Sequence, residues 1–516
     1  MRKFFKTVAI VTVFSVCEKF LGFVYRIYMS RTVGAEGVGM YQVALSVFAF
    51  ILIASCSGTP ITVSRLMTKY KSEGKRENVN KIITAGLTVT FLTVLPVCVL
   101  CLVFGKRFAF LFADARCLDI FTVLLPGLVF TSLYSVLRGV FWGNKDFMPY
   151  SVIELLEEIC MIIAGILLIG RAADAFDGAF RAGVAVLISY IFSFSLAAGV
   201  FLLRKNRLTN PKGEFLPLLS AAAPVTAMRT ATSLSVSMVS VILPLQLVKA
   251  GFTQSQSMIL YGAALGQAMP VLYIPTTLIS SFIIVLVPEI SESFYGKKNS
   301  VLKTDVEKSV RFTALLTLLF IPVFTVCGEE TGIIIFDSYE CGSFLSASAF
   351  LMVFMGLSSV TTSILNSIGL EKKSLLITAA GGALMLLSVW LLPKFFGIYA
   401  LLFGLSFLYV LTAALNLAVI KKQCPEKPKY YRFLLKACAA TVPSVILGFM
   451  LKKMLLPLLG TFFTFLTLAA ALSVFTALLF FGAGLLDFSI VKAFSFGKRR
   501  KKSGKPEKTG LPQKTV

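Results

Sequence analysis

The sequence of 516 residues has no histidine, and charged side chains make up only 15% of it. Each shortage excludes a class of protein. Without histidine the chain lacks the commonest general base and metal ligand, which argues against acyltransferase or metallohydrolase chemistry. No glycine-rich phosphate loop ending in Lys-Ser/Thr occurs either, so energy has to come from a proton or sodium gradient, the membrane potential or the substrate's own gradient. No cofactor and no metal is expected. A soluble protein carries charge on about a quarter of its residues, so this composition is not that of a soluble enzyme.

What is present is apolar length. Hydrophobic residues make up 57% of the chain, and the mean hydropathy is +0.85. A helix crossing a bilayer needs about 20 apolar residues, which leaves room for about 14 spans. They are read at 7–28, 41–64, 82–104, 118–141, 151–170, 182–203, 216–246, 258–288, 310–327, 344–366, 374–392, 397–420, 433–451 and 461–484. The apolar runs are continuous rather than alternating, which favours helices over a barrel because each helix satisfies its own backbone. The expected fold class is an all-α polytopic membrane protein. Glu18 and Lys19 interrupt the first apolar run, so it is read as a retained span and not as a cleaved signal. Of the ten cysteines, Cys98 and Cys101 lie on successive turns of one apolar helix and read as packing. Cys117 and Cys341 fall in outer loops of different halves, where a disulfide is open but not expected.

Counting Lys and Arg by side places the N-terminus in the cytoplasm. Inner segments hold about 37 basic residues, outer loops about 10, and the membrane interior three: Lys19, Arg26 and Arg229. The acidic residues divide as about 12 inside, 9 outside and 4 within spans, the last being Glu18, Glu154, Glu157 and Glu158. The net charge of +25 is therefore mostly an orientation signal, with both termini inside. The low-complexity segment 487–516, with its basic run from Lys498 to Lys502, is expected to be a disordered cytoplasmic tail. Anionic lipid attracts such a tail by about 1 kcal/mol per basic residue, and nucleic acid is not an expected partner.

An internal repeat recurs at a spacing of roughly 225 residues. Leu95-Pro96-Val97 leading to Phe112-Ala113-Asp114 is echoed by Ile321-Pro322-Val323 leading to Phe336-Asp337. Ser135-Val136-Leu137 with Gly143-Asn144-Lys145 is echoed by Thr362-Ser363-Ile364-Leu365 with Gly369-Leu370-Glu371-Lys372. Gly39-Met40-Tyr41, Pro60 and Ser64 are echoed by Leu260-Tyr261-Gly262, Pro288 and Ser291. The expected organisation is an N-terminal six-helix lobe (1–208) and a C-terminal six-helix lobe (209–424) around a central cavity, followed by two appended spans (425–486). Prolines within spans, among them Pro96, Pro126, Pro270, Pro275 and Pro322, mark expected bends.

Leu21-Gly22-Phe23-Val24-Tyr25-Arg26 and Val33-Gly34-Ala35-Glu36-Gly37-Val38-Gly39-Met40-Tyr41-Gln42 resemble the first hairpin of the polysaccharide-transport flippases related to stage V sporulation protein B. Gly58-Thr59-Pro60, Leu137-Arg138-Gly139-x-Phe141-x-Gly143, Met148-Pro149, Ala268-Met269-Pro270 and Val287-Pro288-Glu289-Ile290-Ser291 follow in the same order as in that family. The resemblance implies a member of the multidrug/oligosaccharidyl-lipid/polysaccharide exporter superfamily. Its implied work is moving an undecaprenyl-linked sugar precursor, peptidoglycan lipid II or a relative, between leaflets. It also implies a cationic central cavity containing arginines of the first span, a position Arg26 matches with an offset of one inserted residue, Tyr25. Glu18 in the same span departs from a uniformly positive cavity.

The residues support this reading in their own terms. Lys19 and Arg26 are seven apart, about 700° of helical rotation, and share a face. An arginine fork can donate two hydrogen bonds to phosphate oxygens. Ionisable groups at such depth cost about 2.5–3.5 kcal/mol to insert, so Glu18, Lys19, Arg26 and Arg229 are functional candidates by default. Arg65 and Arg138, at cytoplasmic span ends, either anchor the protein or catch an incoming pyrophosphate. Glu154, Glu157 and Glu158 share a helix face and either pair with Arg138, bind a coupling cation or lie among headgroups. Asn366 and Gln267 either line the cavity or bridge helices. Three functions stay open: a flippase for polyprenyl-pyrophosphate-linked oligosaccharides, a cation-coupled multidrug exporter of the same fold, and a scaffold recruiting cell-wall synthesis proteins.

Overall fold

The computed structural model describes residues 2–204 and 207–486; the segment 487–516 lies outside the described residues. The protein is all-α, with no strand among the described residues. The first part runs α1 (Arg2–Cys56), α2 (Thr59–Ser72), α3 (Arg76–Val103), α4 (Arg116–Gly143), α5 (Phe147–Ile169), α6 (Ala175–Leu203) and α7 (Phe215–Lys249). There follow α8 (Gln254–Tyr261), a π-helical segment (Gly262–Ala268), α9 (Met269–Leu272), α10 (Ile274–Tyr295), α11 (Asn299–Phe336), α12 (Tyr339–Ser348) and α13 (Leu351–Ser367). The chain closes with α14 (Glu371–Leu391), α15 (Pro393–Phe396), α16 (Tyr399–Gln423) and α17 (Tyr431–Gly482).

Two of these helices are hairpins. In α1, Gly34 has φ 70° and ψ 177°, and in α17, Gly460 has φ 70° and ψ 175°. A straight helix would hold residues 18 and 52 roughly 50 Å apart, yet Glu18 and Leu52 line one chamber, so the chain reverses at Gly34. The Thr476 hydroxyl likewise donates to Ser444 at 2.9 Å across Gly460. Only glycine enters that backbone region without strain.

Nine described helices are long and apolar enough to cross a membrane, or eleven if each of two bent pairs is one span. The shortfall from the expected count of about 14 lies in three places. Glu154, Glu157 and Glu158 put too much charge in α5, and the reversals at Gly34 and Gly460 each divide what counts as one helix. The span expected at 258–288 is not one helix: it runs through the π segment and bends by 43° between α9 and α10, at Tyr273, with Pro270 and Pro275 on either side. The span expected at 344–366 bends by 61° between α12 and α13.

One helix-ending turn, found also at Ala250–Phe252 and Ala483–Leu485, recurs at places that the sequence match pairs. Glu73, Gly74 and Lys75 donate to Lys69, Lys71 and Tyr70, and Gly296, Lys297 and Lys298 donate to Glu292, Phe294 and Ser293 in the same pattern. The turn at Asn144, Lys145 and Asp146 is matched in the same way by Ile368, Gly369 and Leu370. Lys145 and Gly369 hold the same position in this turn, two residues off the register of the sequence match.

Packing joins the halves at two ends. Near the Gly34 reversal, Ser30 donates to the Phe336 carbonyl at 3.1 Å, and Arg31 donates to the carbonyls of Ile335 at 3.0 Å and of Ile334. These are last-turn acceptors of α11 that have no partner within their own helix. Gly39 and Gly262 meet backbone to backbone there: a Cβ at either would lie within 2.1 Å of a carbonyl oxygen. At the other end the buried Glu214, just before α7, accepts from Tyr70 at 2.7 Å and Asn78 at 2.8 Å. The α17 hairpin packs along α11, where Lys452 pairs with Glu330 at 2.9 Å and Glu329 at 3.2 Å. Cys117 and Cys341 are both buried free thiols, and Cys98 is buried against the Leu125 carbonyl.

Candidate functional site: a divided charged cavity

Two chambers meet between the helices. The smaller, about 270 Å³, is lined by Glu18 of α1, Arg138 and Tyr134 of α4, Glu154, Glu157 and Glu158 of α5, and Arg229 of α7. The larger, about 1050 Å³, is lined by Glu18, Lys19 and Arg26 of α1, with Glu157 and Glu158 of α5. Glu18, Glu157, Glu158 and Tyr190 line both, so the two chambers are neighbours.

The local structure explains the convergence. Lys19 and Arg26 fall on one face of a regular helix with Glu18 beside them, and the carboxylates of α5 recur at spacings of three and four, so each helix presents a charged side. Packing of α1 on α5 turns the two charged sides toward the same space. The Arg138 guanidinium donates to Glu154 at 3.1 Å and lies 5.2 Å above the Trp142 ring, so one of the α5 carboxylates has a fixed partner. Arg26 does not reach toward the membrane surface: its Nη1 donates to the Gly266 carbonyl at 3.0 Å, in the π segment. Irregular helix of this kind recurs at functional sites.

Eight of the sequence candidates are thereby brought together: Glu18, Lys19, Arg26, Arg138, Glu154, Glu157, Glu158 and Arg229. Three are placed elsewhere. Gln267 is fully buried and donates to Ser30 at 2.6 Å, because its side of the π segment packs on α1. Asn366 is exposed in the last turn of α13, where its carbonyl accepts from Gly369. Arg65 is exposed on α2, which continues past it to Ser72 instead of ending there. None of the three lines either chamber.

The charge comes from two helices. All the charged side chains lining the larger chamber come from α1 and α5. Met269, Pro270 and Tyr273, with Leu405, Leu408 and Tyr409 of α16, line the same chamber without a charge. Tyr273 and Tyr409 are site residues that the sequence reading missed. The available signal was a tyrosine between two prolines in a span already expected to bend.

The fold is a bundle of apolar helices long enough to cross a membrane, around a cavity that carries charged side chains of α1 and α5. Among solved structures, the lipid II flippase MurJ in an inward closed conformation shares this fold. Its TM-score is 0.72 at 14% identity, over 93% of this chain and 100% of that one. The chain belongs to the polysaccharide biosynthesis protein family, whose model matches residues 4–294. It is 27% identical to stage V sporulation protein B of Bacillus subtilis over 398 residues, 73% of this chain and 76% of that protein. It is 24% identical to the lipid II flippase MurJ of Bacillus subtilis over 351 residues, 62% of each chain. The protein is therefore a multi-pass membrane protein of that family.

Proposed function

We propose that the protein moves an undecaprenyl-pyrophosphate-linked sugar, peptidoglycan lipid II or a related polysaccharide intermediate, across the bacterial cytoplasmic membrane by alternating access. The observation that carries this reading is the position of Arg26 and Lys19 on one wall of the 1050 Å³ chamber. A sugar pyrophosphate cannot cross hydrocarbon unaided, and a cationic wall replaces the water it leaves. The tail need not leave lipid. Val16 and Phe20 of α1 and Leu278 of α10 line the same chamber and stay exposed, which gives the tail an apolar path out of it. The halves 1–208 and 209–424 rock about the cavity, 425–486 is an appended hairpin, and both termini face the cytoplasm. Glu18, Glu154, Glu157 and Glu158 couple the cycle to a proton or sodium gradient.

Reconstitution with a panel of fluorescent polyprenyl-linked sugars, read by leaflet accessibility, tests the reading. The parent protein moves at least one of them, whereas Arg26→Ala and Arg229→Ala stay folded and move none. Full activity in both variants overturns the anionic-head model. One observation favours a second reading, cation-coupled drug export: the smaller chamber holds four carboxylates against two guanidiniums. Export of a cationic dye with no movement of any lipid-linked sugar selects it. Movement of neither selects the scaffold.

A further inference from the structure

We infer that Tyr273 and Tyr409 form a platform for the sugar ring of the cargo, so that the cavity holds its ligand in one orientation. The pyrophosphate faces α1 and α5, and the sugar faces α10 and α16. This rests on the flippase reading and assigns a second subsite to the same cavity.

Three features converge on Tyr273. It sits at the 43° break between α9 and α10, one short helix after the π segment, where the chain no longer runs straight. Broken helices with irregular backbone recur where membrane transporters hold substrate. The side chain is 41% exposed although its neighbours Val271 and Leu272 are buried, and it lines the larger chamber. Its hydroxyl lies 3.1 Å from that of Tyr409, which reaches across from α16 and lines the same chamber.

The chemistry of this wall selects the ligand. Two phenols that share one hydrogen bond keep a second proton and several lone pairs for a ligand. The remaining lining, Met269, Pro270, Leu405 and Leu408, is apolar. A phosphate on these residues would lose hydration with no cation among them, while Lys19 and Arg26 of α1 line the same chamber and offer it one. A polyprenyl tail would leave both phenolic hydroxyls against hydrocarbon, a cost that a polar partner removes. A pyranose satisfies both requirements, because its C–H face packs on an aromatic ring and its hydroxyls meet phenols at the rim.

The experiment compares two ligands on purified full-length protein: undecaprenyl pyrophosphate, and the same lipid bearing one N-acetylhexosamine. The parent binds the sugar-bearing lipid more tightly. Tyr273→Ala weakens binding of the sugar-bearing lipid by about tenfold and leaves the sugar-free lipid unchanged. Tyr409→Phe keeps the ring and the packing, and it weakens the sugar-bearing lipid by a smaller factor while sparing the other. Arg26→Ala weakens both lipids. Equal losses for the two ligands in the tyrosine variants, or no loss in either variant, overturn the platform and leave the flippase reading standing. Binding of neither lipid by the parent removes the flippase reading, and the platform falls with it.

Discussion

Glu18 belongs to both chambers, next to Lys19 on its own helix and opposite Glu157 and Glu158 of α5. If it is the coupling group, Glu18→Gln abolishes the response of transport to an imposed proton or sodium gradient; an unchanged gradient dependence places coupling elsewhere. Lys452 belongs to a different class of charged residue. It is mostly buried between α17 and α11, paired with Glu330 and Glu329 and donating to the Val326 carbonyl at 3.0 Å. Removing one partner of a buried pair strands the others, so Lys452→Met lowers stability by about 3 kcal/mol. Glu330→Gln in the same chain recovers part of that loss, and thermal unfolding in detergent measures both. In the sequence these residues read as charge in two outer loops, because nothing local shows that α17 folds back along α11.

The helices owe their geometry to a few backbone positions. Nothing lies within 4 Å of a Cβ built on Gly34 or Gly460, so an alanine there meets no neighbour and tests the backbone alone. At φ near 70° and ψ near 180° that substitution costs about 1–3 kcal/mol. Gly34→Ala and Gly460→Ala therefore lower the melting temperature without changing the cavity's lining; unaltered stability in both would remove the reversal as the reason for glycine. The paired turns make a second test. Gly74 (φ 74°) and Gly369 (φ 78°) have Lys297 (φ 54°) and Lys145 (φ 57°) as their counterparts. A β-branched residue suits this left-handed region poorly, so Gly74→Val and Gly369→Val each cost about 1–2 kcal/mol. Lys145→Gly and Lys297→Gly come close to neutral, because relief of strain offsets the added freedom of the unfolded chain.

At the scale of the whole molecule, the contacts of Ser30 and Arg31 with the end of α11, and of Gly39 with Gly262, close the cavity at the Gly34 end. If transport requires the halves to part there, a short bifunctional thiol reagent joining cysteines placed at Ser30 and Phe336, in a chain freed of its ten native cysteines, stops movement of the lipid. Cleavage of the link restores it. Undiminished transport by the cross-linked protein excludes opening at this end.

Hydropathy and charge alone determined that the chain is a bundle of membrane helices, where most of them begin and end, and that Lys19 and Arg26 share a face with Glu18 beside it. Those properties depend on the cost of exposing backbone and charge to lipid, which each segment meets by itself. The order of short motifs also identified the family. Only the tertiary structure decided that Arg138 reaches Glu154 while Arg65 stays outside, that Gln267 braces Ser30 instead of lining the cavity, and that Tyr273 meets Tyr409. Each of those outcomes depends on how one helix is rotated and bent against another. That is set by side-chain packing between segments up to hundreds of residues apart, and no local period of the sequence records it.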